Sequence, residues 1–334
     1  MVLMYASHLA DQGHEVSIEA NKIDTVFNVN PKILTIPIGP KGQLGTMLSA
    51  FFKKRHADVV IADIIPLAFA LYIRNRKRVL YFAQDYNVTH YTNTVMKSLV
   101  KILDFIGLRL LKIRTITVSE ELSLVLSSQF RANIVQVIPN GVDMSLFHSE
   151  PSPVLRAEKQ GQKSILVLSR KDPRKGFDVA QQVIKKVKAI CPVPFEVWTV
   201  GEPSKGTFPG IAHRDFGYVP ELKMRDLFSN ADLFLNPSYS EGFGLMVIEA
   251  FACKCPVVTT DAISYAIHDK NAMVSRVGDI DSMAINVRRL LESSDTAQAI
   301  IANGFTCAKK YSLEHALAAF EKTLTSLSRE QRLC

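Results

Sequence analysis

Two doubly wound α/β domains are the fold that this sequence predicts, and three observations lead to it. Short β-branched runs alternate with longer amphipathic runs along nearly the whole chain, an order that gives parallel sheets covered by helices. A length of 334 residues is enough for two domains that each bury a core. A polar stretch with two prolines, "MSLFHSEPSPVLRAEKQGQK", separates two such alternating halves and reads as the linker.

Taken in order, the chain starts with a helical pattern. Leu3, Ala6, Leu9 and Ala10 share a face, and Gly13 is placed to stop the helix. A Rossmann unit normally opens with a strand and a glycine-rich loop before this helix. Both are absent from this chain, and the first strand is expected upstream of Met1. The expected strands of the first half are "HEVSIEA", "ADVVIADI", "RVLYFAQD", "RTITVS" and "IVQVIPNG"; those of the second are "KSILVLS", "FEVWTVG", "ADLFLNP", "CPVVTTD" and "AMVSRV". In such sheets ligands bind beyond the carboxyl ends of the strands, here between the halves. No internal repeat or low-complexity tract interrupts the pattern.

Composition narrows the function classes. A hydrophobic share of 47% and a charged share of 22% are those of a soluble globular chain. The net charge of +8 favours an anionic partner such as a nucleotide, a phosphorylated metabolite or an acidic membrane surface. Nucleic acid is not expected, because no zinc-finger spacing, aromatic RNA-binding motif or long basic tail is present. Five cysteines form no CxxC pair and no even framework, which fits reduced thiols in the cytoplasm and gives Cys253 and Cys255 no zinc partners. No run reaches the ~18 apolar residues of a membrane span, and no signal peptide is expected.

Two stretches could carry chemistry. In "NPSYSEGFGLMVIEAFAC" a buried strand runs into a polar glycine loop and then a helix. Gly242 and Gly244 let the backbone approach a ligand, and the helix start offers unpaired N–H groups to an anion. Glu241 can accept from ligand hydroxyls, and Glu249, set between apolar neighbours, can hold a vicinal diol through both oxygens. In "SRKDPRKGFDVA" a strand turns through Asp172 and Pro173 into a helix near Gly176. Arg170 and Lys175 there could clamp a diphosphate, the first bidentately and the second as a point charge.

These blocks, together with "VGE", "FGYVPELKMRDLFSNADLFLNP" and "VIPNGVD", resemble glycosyltransferase family 4, retaining enzymes of the GT-B fold. The likeness runs over about residues 1–327 in matching order and spacing. "LADQGHEVSI" resembles that family's first helix and second strand, and "YSLEHALAAFEKTL" its closing helix, which the resemblance implies returns to the N-terminal domain. The implied division is 1–145 for the acceptor-side domain, 146–310 for the nucleotide-sugar domain and 311–330 for the closing helix. Carried over by position, Glu241 would hold donor-sugar hydroxyls beside the backbone of Gly242, Phe243 and Gly244. Glu249 would bind the ribose diol, and Arg170 and Lys175 would neutralise the diphosphate leaving group. Gly217, Tyr218 and Val219 would lie near the base, with Leu245 and Met246 closing the phosphate side. No metal and no cofactor would be needed if these cations and the helix start suffice; "DID" at 279–281 reads as a helix start and not as a metal motif.

Three departures from the family stand out. The glycine loop after the first strand is absent, Lys254 replaces a small glycine, and Gln84 and Asp85 stand where many members carry a histidine facing the acceptor. Asp85 is thus a candidate for acceptor contact, with His90, five residues beyond it, a lesser one. A further segment, 94–114, alternates Lys97, Lys101 and Lys112 with leucine and isoleucine, which suits either a core-packing helix with a solvated face or contact with a membrane surface. The expected function is transfer of a sugar from a nucleoside-diphosphate donor to a glycan or lipid-linked acceptor with retention. The expected location is the cytoplasm, at the inner face of the plasma membrane if that segment touches lipid. Two alternatives stand beside it: a catalytically impaired GT-B partner protein, and a GT-B epimerase or phosphorylase.

Overall fold

The computed structural model describes residues 2–20, 29–38, 42–91, 93–159 and 161–332. The chain divides into two units, Met1–Asn140 with Glu314–Cys334, and Gly141–Leu313.

In the first unit the elements run α1 (Val2–Asp11), β1 (Ser17–Ala20), β2 (Leu34–Pro37), α2 (Gln43–Phe52), β3 (Val60–Ala62), α3 (Ile65–Asn75), β4 (Val79–Ala83), α4 (Thr94–Asp104), β5 (Arg114–Thr117), α5 (Glu120–Phe130) and β6 (Asn133–Val137). Strands β3-β4-β5-β6 form one parallel sheet, and β1 and β2 pair separately, also parallel. All five residues of β4 are buried, as expected of a parallel strand covered on both faces. The run 94–114 is not one continuous α-helix: α4 ends at Asp104 and widens into a π-type turn over Phe105–Leu110.

The second unit contains α6 (Pro153–Glu158), β7 (Lys163–Ser169), α7 (Phe177–Ile190), β8 (Phe195–Gly201), β9 (Ala212–Asp215), α8 (Glu221–Asn230), β10 (Leu233–Asn236), α9 (Leu245–Ala252), β11 (Val257–Thr260), β12 (Met273–Ser275), α10 (Ile280–Glu292) and α11 (Ser294–Lys310). Its six strands are all parallel, in the order β12-β11-β10-β7-β8-β9. The inward faces of β7, β8 and β10 pack Ile165, Val167, Val197, Leu233 and Leu235 against Val183, Ile184 and Val187 of α7. The last helix, α12 (Leu313–Arg332), carries Phe320 against Tyr5 and Phe82 within the first unit, with ring centroids 4.4 and 5.2 Å apart.

All ten expected strands form. The two that pattern reading did not find are β2, mostly exposed and ending at Pro37, and β9, the polar edge strand "AHRD". Neither buries the apolar stripe that makes a strand visible in sequence. The stretch read as a linker also differs from expectation. Residues 144–163 belong to the second unit, anchored by buried Phe147 and Leu155 and by Glu150 N–H donating to Ser229 Oγ at 3.1 Å. Two apolar anchors inside a polar run are enough to fasten it. The unit boundaries fall at Asn140/Gly141 and Leu313/Glu314, where 145 and 310 were expected. Gly141 is required there: a Cβ would lie 2.4 Å from Leu313 Cα. The two backbone segments pair as Val142 N–H donates to Tyr311 O at 2.8 Å and Leu313 N–H to Val142 O at 2.9 Å.

Candidate donor site at the β7–β10 switch point

In the six-stranded sheet the chain moves outward from β7 through β8 to β9 on one side, and from β10 through β11 to β12 on the other. The loops leaving the carboxyl ends of β7 and β10 therefore diverge, and that divergence opens a crevice where open α/β sheets bind ligands. Both sequence motifs lie on these two loops.

The loops are tied to each other before any ligand is considered. Tyr239 N–H donates to Arg174 O at 2.7 Å. Gly176, in left-handed conformation at φ 65°, sits so close to Pro237 that a Cβ would lie 2.2 Å from its carbonyl oxygen. Asp172 caps the short turn by accepting from Arg174 N–H at 3.0 Å. Across this contact Lys175 Nζ donates to Glu241 Oε1 at 2.8 Å, and the Ser238 hydroxyl donates to the same oxygen at 2.8 Å. Ser238 is held in turn by Thr260 Oγ1, which donates to its carbonyl at 2.6 Å. A cation and a carboxylate from opposite loops are thus fixed over the switch point.

Two helices start here, α7 at Gly176 and α9 at Gly244, and neither start has a side-chain cap. Their first N–H groups and positive dipole ends suit an anion. Leu245 and Met246 open α9, half-buried. Glu249 lies one turn further on. Burial, followed by the like charge of Glu221, pushes its carboxyl up to about 8.

The third wall comes from β8. Gly201, at φ 112°, lies against Ser169 with no room for a side chain, and its N–H donates to Gly217 O at 2.8 Å. This places Gly217, Tyr218 and Val219 beside the ends of β7 and β8. Arg170 is exposed and faces the Tyr218 ring, its guanidinium carbon 5.8 Å from the centroid. Lys175 and Glu241 of the 241–244 loop meet directly, with Glu249 in the helix α9 that follows the loop and Arg170 with Tyr218 at the rim. Asp85 belongs to the first unit, at the carboxyl end of β4, where its carboxylate accepts from Asn87 Nδ2 at 3.3 Å. Among the described residues no cluster of three or more His, Cys, Asp or Glu could hold a metal ion, and Asp279 caps α10 by accepting from Ser282 N–H at 3.0 Å.

Residues 162–293, which contain β7, β10 and both loops, match the family described as glycosyl transferases group 1. By this match and by its fold, the chain resembles the GT-B glycosyltransferases. It is 25% identical over 327 residues to a phosphatidyl-myo-inositol mannosyltransferase of Propionibacterium freudenreichii, covering 87% of this chain and 81% of that one. It is 31% identical over 103 residues to O-antigen chain mannosyltransferase B of Escherichia coli, a match spanning 30% of this chain and only 27% of that relative. Among solved structures, Anabaena HepE in complex with UDP and glucose superimposes with a TM-score of 0.72 at 17% identity, over 97% of this chain and 95% of that one. At that identity the superposition speaks for the fold alone.

Sequence reading of this chain missed Ser238 and Tyr265. Ser238 is one more small polar residue inside a quoted motif. Tyr265 lies outside every motif, and only the fold brings its hydroxyl to Gly244, where it donates to the carbonyl at 2.6 Å. Lys254 is now accounted for. It occupies the left-handed position that ends α9, at φ 59°, with Cys255 N–H donating to Ala250 O at 2.8 Å. Its ammonium lies 5.2 Å from the Phe305 centroid, partly offsetting the strain. Lys254→Gly is expected to stabilise the chain by about 0.5–1 kcal/mol, read as a small rise in Tm; a fall would mean that the cation–π contact outweighs the strain.

Proposed function

We propose that this chain transfers a sugar from a nucleoside-diphosphate donor to a glycan or lipid-linked acceptor, with retention at the anomeric carbon, in the synthesis of a cell-surface polysaccharide or glycolipid. The observation that carries the donor reading is the Lys175–Glu241 ion pair fixed over the switch point between two uncapped helix starts. An incoming diphosphate competes for the Lys175 ammonium, while Ser238 keeps Glu241 in place to accept from sugar hydroxyls. Arg170, Lys175 and the α9 start then stabilise the charge that develops on the diphosphate as the sugar–phosphate bond breaks. These cations supply that neutralisation without a metal, and activity is expected to survive EDTA. Glu249 holds the ribose diol, Gly217–Val219 flank the base, and Asp85 contacts the acceptor. With departure and attack on one face of the sugar, no side-chain base is required.

The test is a thermal-shift screen of UDP-, GDP- and ADP-sugars. A donor at about a hundred times its Kd adds roughly 2.7 kcal/mol of stability. If none of them stabilises the chain, the donor reading falls. Product analysis separates transfer from epimerisation or phosphorolysis.

The reading includes contact with the inner face of the plasma membrane. Among the described residues no helix is long and apolar enough to cross a membrane. Support for surface contact comes from α4, whose outward ridge is apolar. Val95, Leu99 and Ile102 follow the i, i+4, i+7 spacing and are 74%, 47% and 55% exposed, while Val100 and Asp104 on the opposite face are buried. Lys97 and Lys101, away from the ridge on the same helix, are also exposed. Residues 42–114 hold twelve Lys and Arg against four Asp and Glu, a surplus equal to the net charge of the whole chain, +8. A second copy would set this charge against itself, whereas an anionic bilayer complements it. The chain is expected to co-sediment with vesicles containing phosphatidylglycerol and not with phosphatidylcholine alone, and Leu99→Ser/Ile102→Ser to release it. Equal binding to both vesicles, or concentration-dependent dimerisation through this face, would overturn this part.

A further inference from the structure

The glycine loop that carries Glu241 and opens α9 is made of residues with little conformational preference of their own, yet the proposed chemistry needs it fixed. The element that fixes it comes from another part of the chain. Gly244 adopts a left-handed conformation, φ 89°, and its carbonyl accepts twice, from Val247 N–H at 3.0 Å and from the Tyr265 hydroxyl at 2.6 Å. A Cβ on Gly244 would lie 2.4 Å from Ile263 Cδ1, so the segment after β11 presses directly on the loop.

Tyr265 is itself held on every side. Its ring forms a closed triangle with Phe243 of the loop, at 5.0 Å, and Tyr311, at 5.3 Å, and the third side, Phe243–Tyr311, is 5.4 Å. Its carbonyl accepts from Asn271 Nδ2 at 2.9 Å, and Asn271 Oδ1 accepts from Ile267 N–H at 2.6 Å. The Tyr311 backbone is the one that pairs with Val142, so the triangle rests on a segment pinned at both ends. Burial pushes the Tyr265 phenol well above its ordinary range, and the hydroxyl keeps the proton that it donates.

We infer that Tyr265 is a positioning residue for sugar transfer: its hydroxyl, aimed by the Phe243–Tyr265–Tyr311 triangle, sets the Gly244 carbonyl and with it the 241–244 loop and the start of α9. It touches no reacting atom. Its effect runs through Glu241 and the helix-start N–H groups, which need placement within a fraction of an ångström to act on the breaking bond. The inference rests on the proposed donor reading.

Tyr265→Phe keeps the ring and the triangle and removes only the donor. Slow hydrolysis of UDP-glucose, UDP-N-acetylglucosamine and GDP-mannose provides an assay that needs no acceptor, run well below the melting temperature. With whichever donor the parent hydrolyses, kcat is expected to fall about tenfold or more, with the donor KM changing less than threefold and the amides of 242–247 exchanging faster. A purely structural tyrosine would lower Tm and leave the kcat of the folded enzyme alone, so an unchanged kcat in a folded Tyr265→Phe overturns the inference by itself. Tyr265→Leu, which removes the ring as well, is expected to lose more activity than Tyr265→Phe, and equal losses would also overturn it. A parent that hydrolyses none of the three and is stabilised by no nucleotide sugar overturns the donor reading, and the inference with it.

Discussion

Lys175→Ala is expected to lower kcat/KM for the nucleotide-sugar donor by about 10²–10³. On the proposed donor reading the substitution removes a fixed cation from the site where charge develops, and removing one such preorganised group typically costs that much. It also leaves Glu241 without its ion-pair partner. Glu241 keeps the Ser238 hydroxyl, but its side chain is only 13% exposed, and its charge now repels the incoming diphosphate. Lys175→Arg is expected to recover only part of the activity, because a planar fork does not replace a point charge held at one oxygen. Some of the loss could reflect instability from an unpaired acid, and Lys175→Ala/Glu241→Gln separates the two effects. That double variant should regain the parent's Tm but not its donor affinity. Calorimetry showing parent-like affinity in Lys175→Ala would remove Lys175 from the site.

Glu249 should produce the second large effect, and its signature is pH dependence. Burial pushes the carboxyl from 4.5, the ordinary value for this side chain, up to about 8 in the folded chain. Between those values the folded state holds a proton that the unfolded state has released, so stability falls as pH rises through this window. The parent should therefore melt at progressively lower temperature from about pH 5 to pH 9. Glu249→Gln, neutral and of the same shape, should lack this slope. Donor binding should run the other way. A ribose diol donates to the ionised carboxylate and favours it, so parent affinity should rise from pH 6 to pH 8 with release of a proton on binding. Glu249→Gln should bind about 10- to 100-fold more weakly at pH 8, the loss expected when hydrogen bonds to a charged group are removed. A Glu249→Gln variant with the parent's affinity and pH profile would show that this carboxyl does not meet the donor.

The two effects have a common physical origin. Lys175 acts at a half-exposed rim where charge is already paired, so its loss is felt when a ligand arrives. Glu249 is half-buried among the apolar residues of α9, so its charge is costly without a partner, which on the proposed reading the ribose diol supplies. On the proposed donor reading, the first residue would act on the leaving group and the second would report occupancy through its proton.

Much of the architecture was legible in the residues themselves. Parallel strands buried on both faces read as near-continuous apolar runs, so β4, β7, β8 and β10 stand out, and the glycine-bearing turns after β7 and β10 mark where the backbone must come close to something. Strands without an apolar stripe, β2 and β9, could not be seen in this way. The segment at 144–163 misled for the opposite reason, since two buried side chains outweigh a polar average.

The sequence by itself determined the strand order along the chain, the loop chemistry of 170–176 and 237–244, and the presence of Lys175, Glu241 and Glu249. Only the tertiary structure decided that Lys175 and Glu241, 66 positions apart, meet at 2.8 Å, and that Tyr265 reaches the Gly244 carbonyl. Local patterns record what a residue buries or caps within a few turns. Contacts between loops depend on how β7 and β10 are paired in the sheet, and no single segment contains that information.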